Sequence, residues 1–218
     1  MVSVQQMLNM GKSYLSSQFG PLPLWTHLWI TDKCDLNCEY CEVVDNEKKK
    51  PSKEEIERRI EHAAYLGSSV IAFMGGEPTL RKDFPDLVRI ATERNLFTYV
   101  TSHGQKNSLS EEKLKQLGEA GLSVLEVSLD GYDTVKSSEK TLNGDESLIE
   151  RLEQAQLKYG LKYKAHQVLA PTNLDETIKL VELSERRKLP ISFGLVTEFS
   201  AFNSGKKLFM MILPSMKR

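Results

Sequence analysis

"LWTHLWITDKCDLNCEYCEV", residues 24–43, joins a run of aromatic and β-branched residues to three cysteines, Cys34, Cys38 and Cys41. The run over 24–31 lies between Pro23 and the cysteine loop and reads as a strand, so the thiols stand just beyond its C-terminal end. They are all 3 of the chain's cysteines. Clustered thiols with no distant partner build no disulfide framework. They point instead to a reducing compartment, the cytoplasm, and to metal or catalytic use of the sulfurs.

Outward from this stretch, strand and helix alternate. Ahead of it, Val4, Met7, Leu8, Met10, Tyr14 and Leu15 share a helical face over residues 3–17, and "FGPLP" breaks the pattern. Behind it, Ser52 and Glu55 form a capping box opening a helix that carries Ile56, Ile60, Ala63 and Ala64 and runs to Gly67. "SVIAFM" (69–74) is a short apolar strand ended by Gly75-Gly76, and "DFPDLVRIATERN" is a helix. "LFTYVTS" (96–102) is the third strand, followed by a helix capped by Ser110 and closed at Gly121. "LSVLEVSLDG" (122–131) is a strand with its turn, "DESLIERLEQAQLKYG" a helix stopped by Gly160, and "LKYKAHQVL" the fifth strand. Asn173 and Glu176 read as a second cap-and-box pair ahead of "LDETIKLVELSERRK", and "PISFGLV" is the sixth strand.

Six strands alternating with helices predict a parallel α/β sheet, because each right-handed crossover returns the chain to the same direction. Ligands of such sheets gather at the strands' C-terminal ends. The expected organisation is an N-terminal helix over 1–20, a core over 21–197, and a tail over 198–218. The tail reads as a docking strand, a membrane-surface contact or a truncated end. A net charge of −1 over 218 residues gives no electrostatic basis for binding nucleic acid. No secretory signal and no stretch long enough to span a bilayer are expected.

The CxxxCxxC spacing allows two metals. A four-iron cube held by three thiolates keeps one iron without a protein ligand, ready for a substrate or cofactor. The other metal is zinc, with His27 or His62 completing a Cys3His set. Three unrelated structural cysteines are the bland third reading. Spacing alone favours iron–sulfur over zinc.

Several motifs, in order, sharpen this. "CDLNCEYC" resembles the CxxxCxΦC cluster loop of the radical S-adenosylmethionine (radical SAM) superfamily, with Tyr40 at the aromatic position. "MGGEP" (74–78) resembles its GGEP motif, "TSHG" (101–104) stands where TTNG is commoner, and "SLDG" (128–131) is similar to its fourth-strand motif. "KAHQVLAPTNLDE" resembles a fifth-unit pattern of the branch with molybdenum-cofactor and SPASM-type enzymes, with His166 where asparagine is usual. The leading helix followed by "PLPLW" loosely resembles hopanoid-adenosylating members.

The resemblance implies a partial (β/α)6 TIM-like barrel. It also implies a 4Fe-4S cluster on Cys34, Cys38 and Cys41 whose open iron chelates S-adenosylmethionine (SAM). Gly75, Gly76 and Glu77 would hold the SAM amino group, the peptide at Tyr40 the adenine, and Ser102, Ser128 and Asp130 the ribose. The reduced cluster would cleave SAM to a 5′-deoxyadenosyl radical, fed by an electron donor such as flavodoxin or ferredoxin. The substrate would be a small molecule, a lipid or a peptide. The absence of cysteines after Cys41 removes the auxiliary clusters of SPASM-type enzymes from this chain. Alternation places Trp25, His27 and Trp29 on one strand face, and comparison with the family makes it a lumen face. His27, Trp29, His103 and His166 are the candidates for a substrate pocket. The contrasting expectation is a non-catalytic metal-binding or interaction module, or a truncated barrel that is catalytically incomplete.

Overall fold

The computed structural model describes residues 3–18, 23–105 and 108–195. The expected tail over 198–218 lies outside the described residues. Helix α1 (Val4–Ser17) leads into β1 (Trp25–Thr31), and α2 (Lys53–Tyr65) into β2 (Val70–Gly75). A 3-10 turn (Pro78–Leu80) and α3 (Phe84–Glu93) precede β3 (Phe97–Ser102); α4 (Glu111–Glu119) precedes β4 (Val124–Ser128). Helix α5 (Ser147–Tyr159), β5 (Lys162–Leu169), α6 (Leu174–Arg187) and β6 (Ile191–Leu195) complete the order.

The six strands lie in sequence order, β1-β2-β3-β4-β5-β6, each parallel to its neighbour. Among the described residues β1 and β6 do not pair with each other, so the sheet is open. It is also curved. Trp25 on β1 and Tyr99 on β3 flank β2, which puts their strands roughly 9.6 Å apart on ordinary spacing. Yet their ring centroids are only 5.5 Å apart, leaning together across β2.

Alternation separates the two faces of the sheet. Outward residues Leu28, Ile30, Ile71, Phe73, Val100, Leu125, Val127 and Ala165 are buried with the apolar stripes of the helices. Phe73 meets Phe84 of α3 edge to face at 5.3 Å, and both are fully buried. Burial of such a ring stabilises the fold by about 2 kcal/mol, so this helix-to-sheet layer is the main source of stability. The inward face carries polar and aromatic residues together with the smaller aliphatic Val70, Ala72 and Val124.

Three local features differ from the sequence reading. Helix α1 forms, but it docks through its polar side: Gln6 Nε2 donates to the Leu96 carbonyl (2.9 Å), Asn9 Nδ2 to the Asn95 carbonyl (3.4 Å) and Ser13 Oγ to the Gly67 carbonyl (3.0 Å). Its apolar residues Val4, Met7, Leu8, Tyr14 and Leu15 stay exposed. At α2, Ser52 Oγ accepts from the Glu55 amide, but the Glu55 carboxylate pairs with Arg59 one turn on. Asn173 precedes α6 without capping it. Its side chain instead closes the exits of β4 and β5, donating to the carbonyls of Asp130 (3.1 Å) and Val168 (2.8 Å). Glu176 turns to the Asp133 amide (2.7 Å) and to Lys179 (2.6 Å).

Candidate functional site

The loop from Asp32 to Ser52 is long, and its two stems are tied together by one side chain. Arg81, 2% exposed, donates through Nη1 to the carbonyls of Ile30 (2.8 Å) and Pro51 (2.9 Å). Its other edge forms a two-bonded pair with Asp83 (2.9 and 2.7 Å). Burial pushes the Asp83 carboxyl up, but bonding to Arg81 outweighs this and holds it below the usual carboxylate range. Gly75 and Gly76 press on the same loop. A Cβ on Gly75 would sit 2.1 Å from the Thr31 carbonyl oxygen, and one on Gly76 would sit 2.4 Å from that of Lys33. Only glycine lets the second strand's exit run backbone to backbone with the first, bonded from Gly76 N to Thr31 O (2.9 Å) and Glu77 N to Lys33 O (2.7 Å).

The three thiols hang from this loop, Cys38 buried and Cys34 and Cys41 partly exposed. Burial raises the Cys34 pKa, with the neighbouring Glu77 and Asp35 charges adding to it, so its thiolate needs a cation beside it. A tetrahedral zinc at about 2.3 Å from each sulfur requires sulfurs about 3.8 Å apart. Among the described residues, the one trio of ligand atoms within 4.8 Å of one another is Cys34, Asp35 and His103, not the three cysteines. The three cysteine sulfurs, as placed, do not all lie within 4.8 Å of one another. His27 and His62 take no part in that trio. Three free thiols on one loop are the donor set that a 4Fe-4S cluster with one open iron takes.

A second loop grips the first. In the β4–α5 connection, Ser137 O accepts from the Glu39 amide (3.0 Å), Glu139 Oε1 from the Asn37 amide (2.7 Å), and the Glu139 amide donates to Cys38 Sγ (3.4 Å). Lys140 Nζ donates to Tyr40 Oη (2.9 Å) and lies over its ring at 5.0 Å. The Tyr40 hydroxyl in turn donates to Asp130, whose same oxygen accepts from Ser138 Oγ (2.6 Å). Burial opposes the Lys140 charge, but the oxygens of Tyr40 and Asp130 prevail and hold its pKa above the ordinary value. Burial raises the Tyr40 pKa, so the hydroxyl stays protonated as a donor.

The Asp130 carboxylate is 0% exposed, and its other oxygen accepts from the Val168 amide (3.1 Å). The structure therefore places Asp130 inside the clamp on the cysteine loop. Glu77 is equally enclosed: Oε1 accepts from the Thr79 amide (3.1 Å) and hydroxyl (2.6 Å), and Oε2 from the His103 amide (2.8 Å). His103, 4% exposed, accepts at Nδ1 from the Gln105 amide (2.9 Å) and so carries its proton on Nε2, facing Asp35 Oδ1 (2.9 Å). It joins the cysteine loop to the Gly75–Glu77 turn. Ser102 Oγ accepts from the Gly104 amide (3.1 Å).

These pieces converge on one cavity of about 210 Å³. Cys34, Cys38 and Cys41 form one side, Gly75 and Gly76 another, and Thr101, Ser102, His103 and Ser128 a third, with Trp29 and Lys140 completing it. Four consecutive strand exits thus open onto three thiols. The sequence signature of the Radical SAM superfamily matches residues 29–187, the same span that builds this cavity. The chain belongs to the radical SAM superfamily. Fe-coproporphyrin III synthase of Methanosarcina barkeri is 31% identical over 177 residues, covering 78% of this chain and 42% of that protein. GTP 3′,8-cyclase of Marinobacter nauticus is 30% identical over 191 residues, covering 84% and 57%. Streptococcus suis SuiB, solved with S-adenosylmethionine and with its precursor peptide SuiA, shares the fold at TM-scores of 0.72 and 0.73 and 19% identity. Those matches cover 93% of this chain and 48% and 47% of SuiB. The chain spans about half the length of the curated relatives it matches.

As a radical SAM core, the sheet keeps the expected inner face. Trp25, His27 and Trp29 all point into the lumen and are exposed. His27 Nδ1 lies 2.8 Å from Met74 Sδ, and Trp29 Nε1 donates to Asp32 Oδ1 (3.1 Å). His166 faces the lumen from β5, with Nδ1 3.0 Å from Ser192 Oγ. Sequence reasoning passed over Arg81, Ser138, Lys140 and Glu126. A capped turn with an Arg two residues before an Asp was the only trace of the first, and each of the others depends on a partner far along the chain.

Proposed function

We propose that the chain is the catalytic core of a radical SAM enzyme, holding a 4Fe-4S cluster on Cys34, Cys38 and Cys41 and SAM in the adjoining cavity. The observation that carries this is the shared cavity: three thiols from one loop open onto the same space as the Gly75–Gly76 backbone. When bound, the reduced cluster supplies the electron that cleaves SAM to methionine and the 5′-deoxyadenosyl radical that acts on substrate.

The chain's own residues bind and orient. Backbone carbonyls of the Gly75–Gly76 turn accept from the SAM ammonium, with the buried Glu77 charge beneath them favouring a cation there. Ser102 and Ser128 offer hydroxyls to the ribose. The backbone at Tyr40 meets the adenine, and Asp130 acts on that contact through the Tyr40 hydroxyl. Glu139 N–H donation to Cys38 stabilises thiolate charge and so tunes the cluster.

The electron donor is a small redox protein such as flavodoxin or ferredoxin, and the setting is cytoplasmic. No described helix is long and apolar enough to cross a membrane. The division into helix (1–20), core (21–197) and tail (198–218) belongs to the same reading. Substrates of both small-molecule and peptide type are in keeping with the relatives, which include proteins named as a GTP cyclase and a PqqA peptide cyclase. Anaerobic SAM cleavage tests the proposal: reduced, reconstituted protein forms 5′-deoxyadenosine and Cys38→Ala does not. One zinc per chain with no cleavage would instead support a non-catalytic metal module.

A further inference from the structure

Below the cofactor cavity, the inner sheet face carries a connected row of groups that cluster and SAM leave unused. Glu126 Oε1 accepts from Thr101 Oγ1 (3.1 Å), while Oε2 accepts from the Tyr99 hydroxyl and from Lys164 Nζ (2.7 Å). Lys164 also donates to Ser192 Oγ (3.3 Å), which meets His166. The row thus crosses four strands, and its end at Thr101 is also a wall of the cofactor cavity.

Charge and shape on this face are both unbalanced. Its strand positions carry two lysines, Lys162 and Lys164, against one carboxylate, Glu126. The Lys164 side chain keeps 31% of its surface exposed and lies 5.6 Å over the Tyr99 ring. On the same face, Trp25 is 45% and Trp29 40% exposed, an unusual state for tryptophans on a concave sheet face. Gly194 adds room: a Cβ there would come within 2.9 Å of His166 Nε2. A purely hydrocarbon occupant would strip water from Lys164, Ser192 and His166 and return no hydrogen bond.

We propose that this face is the substrate floor and selects a carboxylate carried on a planar or aromatic body, with Lys164, Ser192 and His166 taking the carboxylate and Trp25 and Tyr99 the body. The assignment rests on the cavity above being the SAM site, because Thr101 and Trp29 belong to both. The carboxylate can belong to a free organic acid or to an acidic side chain of a peptide, and the same chemistry serves either.

Trp25 and Trp29 are the chain's 2 tryptophans, so tryptophan fluorescence of the full chain reports on this face and on the cavity wall that shares Trp29. The probes are 3-phenylpropionate against 3-phenylpropionamide, and N-acetyl-Phe-Glu-amide against N-acetyl-Phe-Gln-amide. In at least one pair the acid binds about tenfold tighter than its neutral partner, about 1.4 kcal/mol; the pair that shows it identifies free acid or peptide. Lys164→Gln removes the preference, whereas Glu126→Gln strengthens acid binding at unchanged amide binding. Opposite signs from two neighbours do not arise from misfolding, and if Lys164→Gln fails to fold, Glu126→Gln decides. Equal binding of acid and amide in both pairs, no response to any probe, or a preference that survives Lys164→Gln overturns the proposal. Wild-type SAM cleavage is measured separately: cleavage with no acid preference defeats the carboxylate floor alone, while acid preference with no cleavage supports the floor and defeats the radical reading.

Discussion

His103 Nε2 lies 2.9 Å from Asp35 Oδ1 and its backbone amide 2.8 Å from Glu77 Oε2, so one residue at the end of β3 links the cysteine loop to the glycine turn. A ring bonded at both nitrogens is a positioning device. His103→Ala keeps the backbone bond and loses the ring contacts, one of them to a carboxylate, an expected loss of about 2 kcal/mol. Denaturant unfolding should show that loss, and reconstituted protein should hold less than half the wild-type iron and sulfide. Unchanged cluster content would mean the link does not position Cys34.

Arg81 is predicted to matter more for stability than any surface charge. Arg81→Met removes the buried donor of Asp83 and of the Ile30 and Pro51 carbonyls, costing about 3 kcal/mol. Urea titration checks this at neutral pH. A loss below about 1 kcal/mol, the range of exposed ion pairs, would refute the stem-clamp role.

The clamp between the two loops should behave as a unit. Tyr40→Phe removes one hydroxyl that joins Asp130 and Lys140, and Ser138→Ala removes another donor to the same Asp130 oxygen. In a double-mutant cycle the two changes should be non-additive by about 1 kcal/mol, since they share a carboxylate. Additive losses would show that they act separately.

Acid sensitivity follows from Glu146. Its carboxylate is bonded by Arg186 (2.6 Å), Arg187 (2.8 Å) and Tyr132 (3.0 Å), and chiefly the Arg186 bond lowers its pKa from 4.5 to about 2. A depressed folded-state pKa gives stability that is present above pH 4.5 and lost as pH falls toward 2. Unfolding free energy should therefore decline more steeply between pH 5 and pH 3 in the wild type than in Glu146→Gln, as read by pH-stepped denaturation. Parallel curves would contradict the linkage.

The outline of the fold was legible because it rests on local pattern. Short apolar runs such as "SVIAFM" and glycines that end helices, such as Gly160 at φ 68°, encode strands and stops within a few residues. The cysteine loop was legible for the same reason. Glu126 was not, because its meaning comes from Lys164, 38 positions on, through the β4–β5 register. Asp130 reads as a ribose contact only through the resemblance of "SLDG" to a family motif; its bonds to Tyr40, Ser138 and Val168 come from other segments and are not legible in that motif. Helix α1 shows the limit of periodicity, since its apolar stripe was visible but the polar bonds of Gln6, Asn9 and Ser13 decide how it docks.

The most direct test is anaerobic reconstitution of the full chain with iron and sulfide, followed by reduction with dithionite in the presence of SAM. The account predicts about four iron and four sulfide per chain and formation of 5′-deoxyadenosine, both lost in Cys38→Ala. Protein that takes up one zinc, holds no sulfide and leaves SAM intact would contradict it.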